Sequence, residues 1–222
     1  YMAGSLVLPY AKRHGRADLF DLICRQVRLI FENMRDAKTG LLYHAWDYSR
    51  QMEWADKSTG LSPEFWGRSI GWVCLFLADM QDFLPGEHKD SEYVRRCLGG
   101  LLSAVAGFQN ERNGLWYQVV DKGDACGNWT ETSCTALFSY ALAKAVRTGC
   151  IDEKYRENAL HGYEGIIKSL YLRDGGLYMP CICEGTGVGN YNHYITRRTG
   201  INDLHGLGAF VMLCCEIDKL LR

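Results

Sequence analysis

An internal repeat constrains the fold of this chain more than any other feature of its sequence. Three short turns resemble one another, and each follows an amphipathic segment: residues 39–43 (TGLLY), 113–117 (NGLWY) and 175–178 (GGLY). A polar, aromatic-rich loop follows each turn and leads into a segment rich in small and apolar residues. A unit that recurs in this way indicates a fold built by packing copies of one supersecondary motif.

The segments on either side of the turns predict helices of two kinds. One kind has apolar side chains at helical spacing on one face and charged residues on the other: residues 18–34, 91–108 and 153–171. The other kind is apolar almost all round, which predicts burial on most sides: residues 65–84, 131–146, 204–221 and, as the end of a further helix, 1–11. The sequence therefore predicts an all-α fold of seven alternating helices. This alternation is typical of an α/α toroid; a bundle or an α-solenoid is the alternative, and the three similar turns favour the toroid.

The composition and charge exclude several classes of partner. The 222 residues carry 25 basic and 26 acidic side chains, which argues against a nucleic-acid groove or an anionic membrane surface as the main partner. No apolar run approaches the ~18 residues that a membrane span needs. No P-loop or H-E-x-x-H motif occurs, so a nucleotide-binding loop has no support.

The ten cysteines predict reduced thiols in a cytoplasmic compartment. No pair has C-x-x-C spacing, and Cys181 and Cys183 form an isolated C-x-C. A zinc site would need a second pair or histidines at ligand spacing, so no metal is expected. Six cysteines lie in apolar, helix-like stretches, where a thiol behaves as a small hydrophobic group: Cys24, Cys74, Cys97, Cys134, Cys214 and Cys215.

Residues 43–72 concentrate the side chains that could carry chemistry. Tryptophan faces stack on sugar rings, and an arginine can bind a uronate carboxylate through two hydrogen bonds worth ~1.5–3 kcal/mol when sheltered from water. The pattern therefore indicates carbohydrate binding, with a tryptophan-rich core as the alternative. The stretch contains one histidine, one arginine and four tryptophans that we single out: His44, Arg68, Trp46, Trp54, Trp66 and Trp72.

The start of the buried helix decides where two of these side chains lie. Ser62, which precedes a proline, is predicted as the N-cap, and this places Trp66 and Arg68 in the first turns. The helix dipole opposes a cation there, which favours an anionic partner for the arginine. In the alternative interpretation the arginine pairs with Asp47 or Asp56.

Polar residues at the corresponding positions of the later units are further candidates. They lie in residues 129–133 (WTETS) and 202–206 (NDLHG), which would face one common opening if the units form a ring. Glu131 and His205 could instead cap helix ends or satisfy buried polar groups. Three further histidines lie in polar or amphipathic stretches and are predicted at the surface: His14, His88 and His161.

Several multi-residue motifs resemble, in the same order, the unsaturated rhamnogalacturonyl hydrolases, which form family 105 of the glycoside hydrolases. The likeness covers essentially the whole chain and is carried by residues 43–47 (YHAWD), 54–56 (WAD), 60–72 (GLSPEFWGRSIGW) and 114–121 (GLWYQVVD). It implies an (α/α)6 toroid and an enzyme that removes a 4,5-unsaturated galacturonyl residue from rhamnose, on small oligosaccharides left by pectin lyases, with no cofactor. In that family an Asp is the general acid/base and the sugar's double bond is hydrated, unlike the two-carboxylate displacement of ordinary glycosidases.

The resemblance also implies roles for individual residues. His44 would hydrogen-bond near the reacting centre, and Arg68 would meet the polar or anionic edge of the sugar. The tryptophans would line the pocket and stack on the substrate: Trp46, Trp66 and Trp72.

The chain departs from the family pattern at the acid/base residue. The family's Asp belongs to a W-x-D-x-x-(Y/F)-M motif, and Tyr1 and Met2 resemble the end of that motif, so the Asp would fall three residues before Tyr1. We therefore expect one toroid domain over residues 1–222 that lacks its N-terminal hairpins and is inactive by itself. The alternatives are an unsaturated glucuronyl hydrolase, another toroid sugar enzyme, or a non-catalytic toroid that binds sugar or protein.

Overall fold

The computed structural model describes residues 1–123 and 125–222, and this part of the chain folds into eight α-helices with three small sheets between them. The helices are α1 (Met2–His14), α2 (Ala17–Met34), α3 (Gly67–Met80), α4 (Ser91–Ala106), α5 (Thr132–Arg147), α6 (Arg156–Ser169), α7 (Tyr191–Ile195) and α8 (Leu204–Leu221). The antiparallel strand pairs are β1 (Trp116–Tyr117) with β2 (Thr130–Glu131), β3 (Tyr171–Arg173) with β4 (Gly176–Tyr178), and β5 (Ile182–Cys183) with β6 (Thr199–Gly200).

The helices form an inner and an outer layer, as the alternating pattern predicts. Successive inner helices pack side by side in the order α1, α3, α5, α8, and each outer helix covers one of them: α2 on α1, α4 on α3 and α6 on α5. Every residue from Thr132 to Val146 of α5 is buried, which explains why that segment has no polar face. The seven predicted helices are confirmed, and α7 is an additional short helix that the sequence pattern did not predict.

Glycine in the left-handed conformation explains the repeated turns. Gly40, Gly114 and Gly175 have φ angles of 76°, 75° and 74°, a region that side chains with a Cβ disfavour. A Cβ on Gly114 would lie 2.2 Å from the carbonyl oxygen of His161, so this turn also needs the space. The first two turns also share a closing hydrogen bond, from Gly40 to Asp36 and from Gly114 to Asn110, whereas the third is a two-residue hairpin turn in which Asp174 has a positive φ as well.

Partly buried ion pairs join the inner helices. The Lys144 ammonium, with a side chain that is 8% exposed, lies 2.7 Å from Asp79 and 2.6 Å from Asp82 at the end of α3. One turn further along α5, Arg147 pairs with the buried Glu216 of α8. These contacts all lie toward the C-terminal ends of α3 and α5, away from the loops that precede those helices.

The inner layer leaves apolar side chains exposed on its two outermost helices. On α1, Met2 and Leu6 are 80% and 74% exposed, and on α8 Leu204 and Val211 are 83% and 60% exposed. In a closed toroid these faces would contact further inner helices. Among the described residues, no helix has both the length and the apolar character that crossing a membrane requires.

Three expectations about individual residues are wrong. Ser62 does not cap α3: residues 64–66 stay extended, Trp66 is the N-cap, and the Ser62 hydroxyl accepts the N–H of Ala45 instead. Cys215 is exposed although its surroundings in the sequence are apolar, because it lies on the open face of α8. The side chain of His88 is only 13% exposed, because it packs against α2.

Candidate active site

The loops that precede α3, α5 and α8 meet at one end of the inner layer. Trp66 pairs with Val119 in an isolated antiparallel bridge, and the N–H of Gly67 donates to the carbonyl of Gln118. The N–H of His44 donates to the carbonyl of Glu64, which ties the first motif to the start of α3. Backbone pairing therefore fixes the extended residues before α3 and brings the histidine beside the tryptophan.

His44, Trp66 and Tyr194 form a compact aromatic cluster at this end. The His44 ring lies 4.6 Å from the Trp66 ring, and the Trp66 and Tyr194 rings are stacked at 6.1 Å with an interplanar angle of 24°. The Tyr194 hydroxyl lies 2.6 Å from Nδ1 of His44. Tyr194 comes from α7 and is fully buried, so the cluster joins residues that are 150 positions apart.

Hydrogen bonding supports one assignment of the proton on His44. The Tyr194 hydroxyl oxygen accepts the N–H of Gly189 at 3.2 Å, and we assign the hydroxyl proton to the bond with Nδ1 of His44. Nδ1 is then an acceptor, and the proton of the neutral ring lies on Nε2. Burial, reinforced by electrostatic interactions with His193 and Arg68, lowers the pKa of His44 to about 4. The ring is therefore neutral near pH 7 and offers a hydrogen-bond donor at Nε2.

Gln118 forms hydrogen bonds to both Trp66 and Tyr194. It is fully buried, and its amide oxygen accepts the indole N–H of Trp66 at 3.1 Å. Its amide nitrogen donates to the Tyr194 carbonyl at 3.2 Å and to the Cys183 sulfur at 3.0 Å. One glutamine thus connects three loops, and its sequence neighbours, all apolar or aromatic, explain its burial.

Arg68 lies beneath the cluster with partners from the protein. The residue is 1% exposed, its Nη1 donates to the carbonyl of Cys183, and its Nη2 donates to the carbonyl of Glu184 at 2.8 Å. Its guanidinium also lies 4.9 Å from the Trp66 ring centre. The two carbonyls belong to the segment that leads toward α7, so Arg68 fixes the loop that supplies Tyr194.

The alternative partners considered for Arg68 lie elsewhere. Asp47 accepts the N–H groups of Gln51 and Met52, and Asp56 accepts those of Ser58 and Thr59. Each aspartate therefore organises its own exposed loop, and the prediction that one of them pairs with Arg68 is wrong.

The other two predicted tryptophans contact different neighbours. The indole N–H of Trp46 donates to the Thr59 carbonyl at 3.1 Å, and its ring lies edge-on to Tyr48. Trp72 stacks on Tyr1 at the start of α1, with ring centres 4.6 Å apart. The structure thus brings His44, Trp66 and Arg68 together, whereas Trp46 and Trp72 contact other residues.

Glu131 and His205 serve the helix termini. The Glu131 carboxylate accepts the N–H of Cys134 as the N-cap of α5, and it also accepts the Cys183 N–H at 2.8 Å. His205 is exposed and pairs at 2.7 Å with Asp203, the N-cap of α8. The capping alternative is therefore confirmed for Glu131, and His205 supports a capping aspartate.

Comparisons with known proteins place this arrangement in a family. The family model for Glycosyl Hydrolase Family 88 matches residues 1–221. A solved family 105 glycoside hydrolase from C. acetobutylicum ATCC 824 is 36% identical, superposes with a TM-score of 0.93 over 97% of this chain, and is itself 62% covered.

Two curated relatives are similar over different shares of their length. Protein Atu3128 of Agrobacterium fabrum is 30% identical, and the match covers 97% of both chains. The unsaturated rhamnogalacturonyl hydrolase YesR of Bacillus subtilis is 30% identical over 72% of this chain and 42% of its own. The chain therefore belongs to Glycosyl Hydrolase Family 88, with family 105 enzymes among its relatives, and its fold is a portion of their α/α toroid.

Proposed function

We propose that this protein is a glycosidase that removes a 4,5-unsaturated galacturonyl residue from rhamnogalacturonan-derived oligosaccharides by hydration of the sugar's double bond. Family membership and the 30% identity to a rhamnogalacturonyl hydrolase support the substrate class. The observation that carries the proposal is the half-buried His44 ring, bonded at Nδ1 to the Tyr194 hydroxyl and lying beside Trp66.

The proposed roles follow from this geometry. His44 donates a hydrogen bond to the sugar near the reacting carbons, since a neutral imidazole can do so across the neutral pH range. Trp66 is only 6% exposed and supports the His44 ring, while the half-buried Trp72 and Trp46 supply aromatic surface on which sugar rings stack. Burial is the main cause of the lowered pKa of His44, and the charge of Arg68 adds to it, so the field of Arg68 reaches the site and favours an anionic sugar there.

Two carboxylates near this end, Asp47 and Asp56, suit other tasks than proton transfer. Hydrogen bonds from Met52, Ser49 and Gln51 lower the pKa of Asp47 to about 2, and similar bonds lower the pKa of Asp56. A general acid works best with a pKa near the working pH. We therefore propose that neither aspartate is the acid/base, and that the chain of 222 residues binds the substrate with little or no turnover.

A paired binding and turnover measurement tests the proposal. Unsaturated galacturonyl-rhamnose is titrated into the purified chain by calorimetry, and hydration is followed as loss of the double-bond absorbance. We expect binding that weakens about tenfold in His44→Gln, consistent with loss of one hydrogen bond of about 1.4 kcal/mol, and that is unchanged in the exposed control His205→Gln. Equal binding of the saturated galacturonyl disaccharide, or a sulfated unsaturated glucuronyl disaccharide bound more tightly, would contradict the substrate class.

Rapid turnover by the chain itself would contradict the proposed absence of a proton donor but leave the substrate class intact. A turnover rate that His44→Gln does not alter would remove the histidine from the mechanism.

A further inference from the structure

A second cluster of polar side chains lies far from the aromatic site, between α2 and the loop that joins α3 to α4. Cys24 lies on the buried face of α2, and His88 and Asp90 stand just before α4. The sulfur of Cys24, a ring nitrogen of His88 and a carboxylate oxygen of Asp90 all lie within 4.8 Å of one another. None of the three is used by the proposed hydrolase chemistry.

The cluster is sheltered from solvent. Cys24 is 0% exposed, Asp90 is 6% exposed, and the His88 side chain is 13% exposed. The Cys24 sulfur lies 3.9 Å from Nδ1 of His88. A thiol, an imidazole and a carboxylate that meet in a buried corner form a mixed donor set of the kind that holds zinc in proteins.

The surroundings of His88 leave Nδ1 as the unprotonated ring nitrogen. Its Nδ1 accepts the backbone N–H of Asp90 at 3.2 Å, so Nδ1 is unprotonated and faces Cys24. Its Nε2 lies 3.5 Å from the carboxylate of Asp21. A ligating histidine commonly has such a carboxylate behind its other nitrogen, which fixes the tautomer and raises the basicity of the ligand.

The neighbouring charges are already balanced. Arg28 pairs with one oxygen of Asp90, and Lys89 lies 2.6 Å from Asp21. A carboxylate can hold an arginine with one oxygen and a metal with the other. A divalent cation that binds Cys24 as thiolate would therefore meet two negative charges, one on the sulfur and one on Asp90.

We propose that Cys24, His88 and Asp90 bind one zinc ion, with the fourth position open to water. In tetrahedral zinc sites the bound sulfur and nitrogen are about 3.5 Å apart, so the 3.9 Å between the Cys24 sulfur and Nδ1 of His88 must shorten by roughly 0.4 Å on binding. The sulfur–zinc bond replaces the S–H bond, and the proton leaves to buffer. The backbone N–H of Asp90 then donates its hydrogen bond to solvent or to the bound water instead of to Nδ1 of His88.

A cobalt titration tests this site with a spectroscopic signal that does not depend on activity. Co²⁺ bound by thiolate gives an intense charge-transfer band, and Zn²⁺ should abolish it by displacement. The titration uses a chain in which the three exposed cysteines are replaced by serine, because exposed thiols bind soft metals by themselves: Cys126, Cys181 and Cys215. We expect one Co²⁺ per chain, and a rise in Tm of about 5–10 °C at a Zn²⁺ concentration 100-fold above Kd.

Substitutions separate a built site from adventitious binding. His88→Gln and Cys24→Ser should each weaken cobalt binding by at least tenfold and, for Cys24→Ser, remove the charge-transfer band. Cys74→Ala, a substitution of an equally buried thiol on α3, should leave both unchanged. The His88 variant keeps the proposal testable if Cys24→Ser does not fold. Absence of stoichiometric binding, or a band that persists in both variants, would show that Cys24 and His88 form only a hydrogen bond.

Discussion

Replacing Arg68 by alanine is the most informative single change in this protein. The guanidinium is 1% exposed and donates to the carbonyls of Cys183 and Glu184. It also lies 3.5 Å from the Ser133 hydroxyl, which in turn donates to the carboxylate of Glu131. Removal of the cation would leave two carbonyls and a buried carboxylate without their compensating charge.

The expected cost follows from that loss. Removing one partner from a buried charge network typically destabilises a protein by about 3–5 kcal/mol. For a chain of this size each kcal/mol lowers Tm by about 2–4 °C, so Arg68→Ala should lower Tm by roughly 6 to 20 °C. Arg68→Lys should destabilise the protein less, because an ammonium keeps the positive charge. Some loss should remain, since an ammonium cannot bond to both carbonyls as the planar guanidinium does.

Urea unfolding and calorimetric titration with unsaturated galacturonyl-rhamnose measure the two consequences separately. Arg16→Ala is the control, since Arg16 pairs with Asp18 at the surface and should contribute less than about 1 kcal/mol. The refuting result is a folded Arg68→Ala protein of nearly normal stability whose affinity for the sugar is reduced tenfold or more. That outcome would mean that the guanidinium leaves its carbonyl partners to bind substrate.

Two further measurements address the histidine. The pKa of His44 is lowered from 6.5 to about 4 in the folded protein, so the unfolded chain binds more protons and stability falls as the pH drops through this window. Between pH 7 and pH 5, wild type should lose about 2 kcal/mol more stability than His44→Gln. An equal loss of stability in both proteins would contradict the buried neutral ring. Tyr194→Phe removes the donor to Nδ1, so the 15N shifts of His44 should move from one defined tautomer toward a mixture. The free energy of unfolding should fall by about 1–3 kcal/mol. Unchanged 15N shifts would mean that another group fixes the tautomer of the ring.

The layering of this fold could be predicted from sequence because burial has a direct signature. Segments such as Thr132–Arg147 have no polar face, and a helix of that kind must be covered on most sides. The amphipathic Ala17–Met34 has one apolar face and forms the outer layer. The turns could also be predicted from sequence, because the left-handed conformation at Gly40 and Gly114 disfavours residues with a Cβ.

The start of α3 could not be predicted from local preference. A serine followed by proline favours a helix start, but residues 64–66 are held extended by bonds to distant parts of the chain. The Glu64 carbonyl accepts the His44 N–H, and Trp66 bridges Val119. Tertiary pairing therefore overrides the capping signal and moves the start of the helix to Gly67.

The residues that sequence reasoning missed are joined only by the fold. Tyr194 contacts His44 across 150 positions, and Cys24 meets His88 across 64. Tyr194 lies in a five-residue helix, too short to leave a periodic signal in the sequence. Spacing rules for zinc ligands count local pairs, so the three donors near α2 and α4 have no motif by which they could be found.

A cation at the start of a buried helix needs a partner, and Arg68 interacts with two different kinds of partner. Its hydrogen bonds are directed to the carbonyls of the loop that carries Tyr194, while its positive charge is felt at His44, where it helps to lower the pKa. Hydrogen bonds depend on the shape of the fork, whereas the field depends only on charge. Arg68→Lys therefore distinguishes the two: the loop should loosen, as measured by stability, while an anionic sugar should still be favoured over its neutral methyl ester. If Arg68→Lys abolishes the preference for the anionic sugar, the guanidinium recognises the sugar carboxylate by direct contact and not through its electrostatic field.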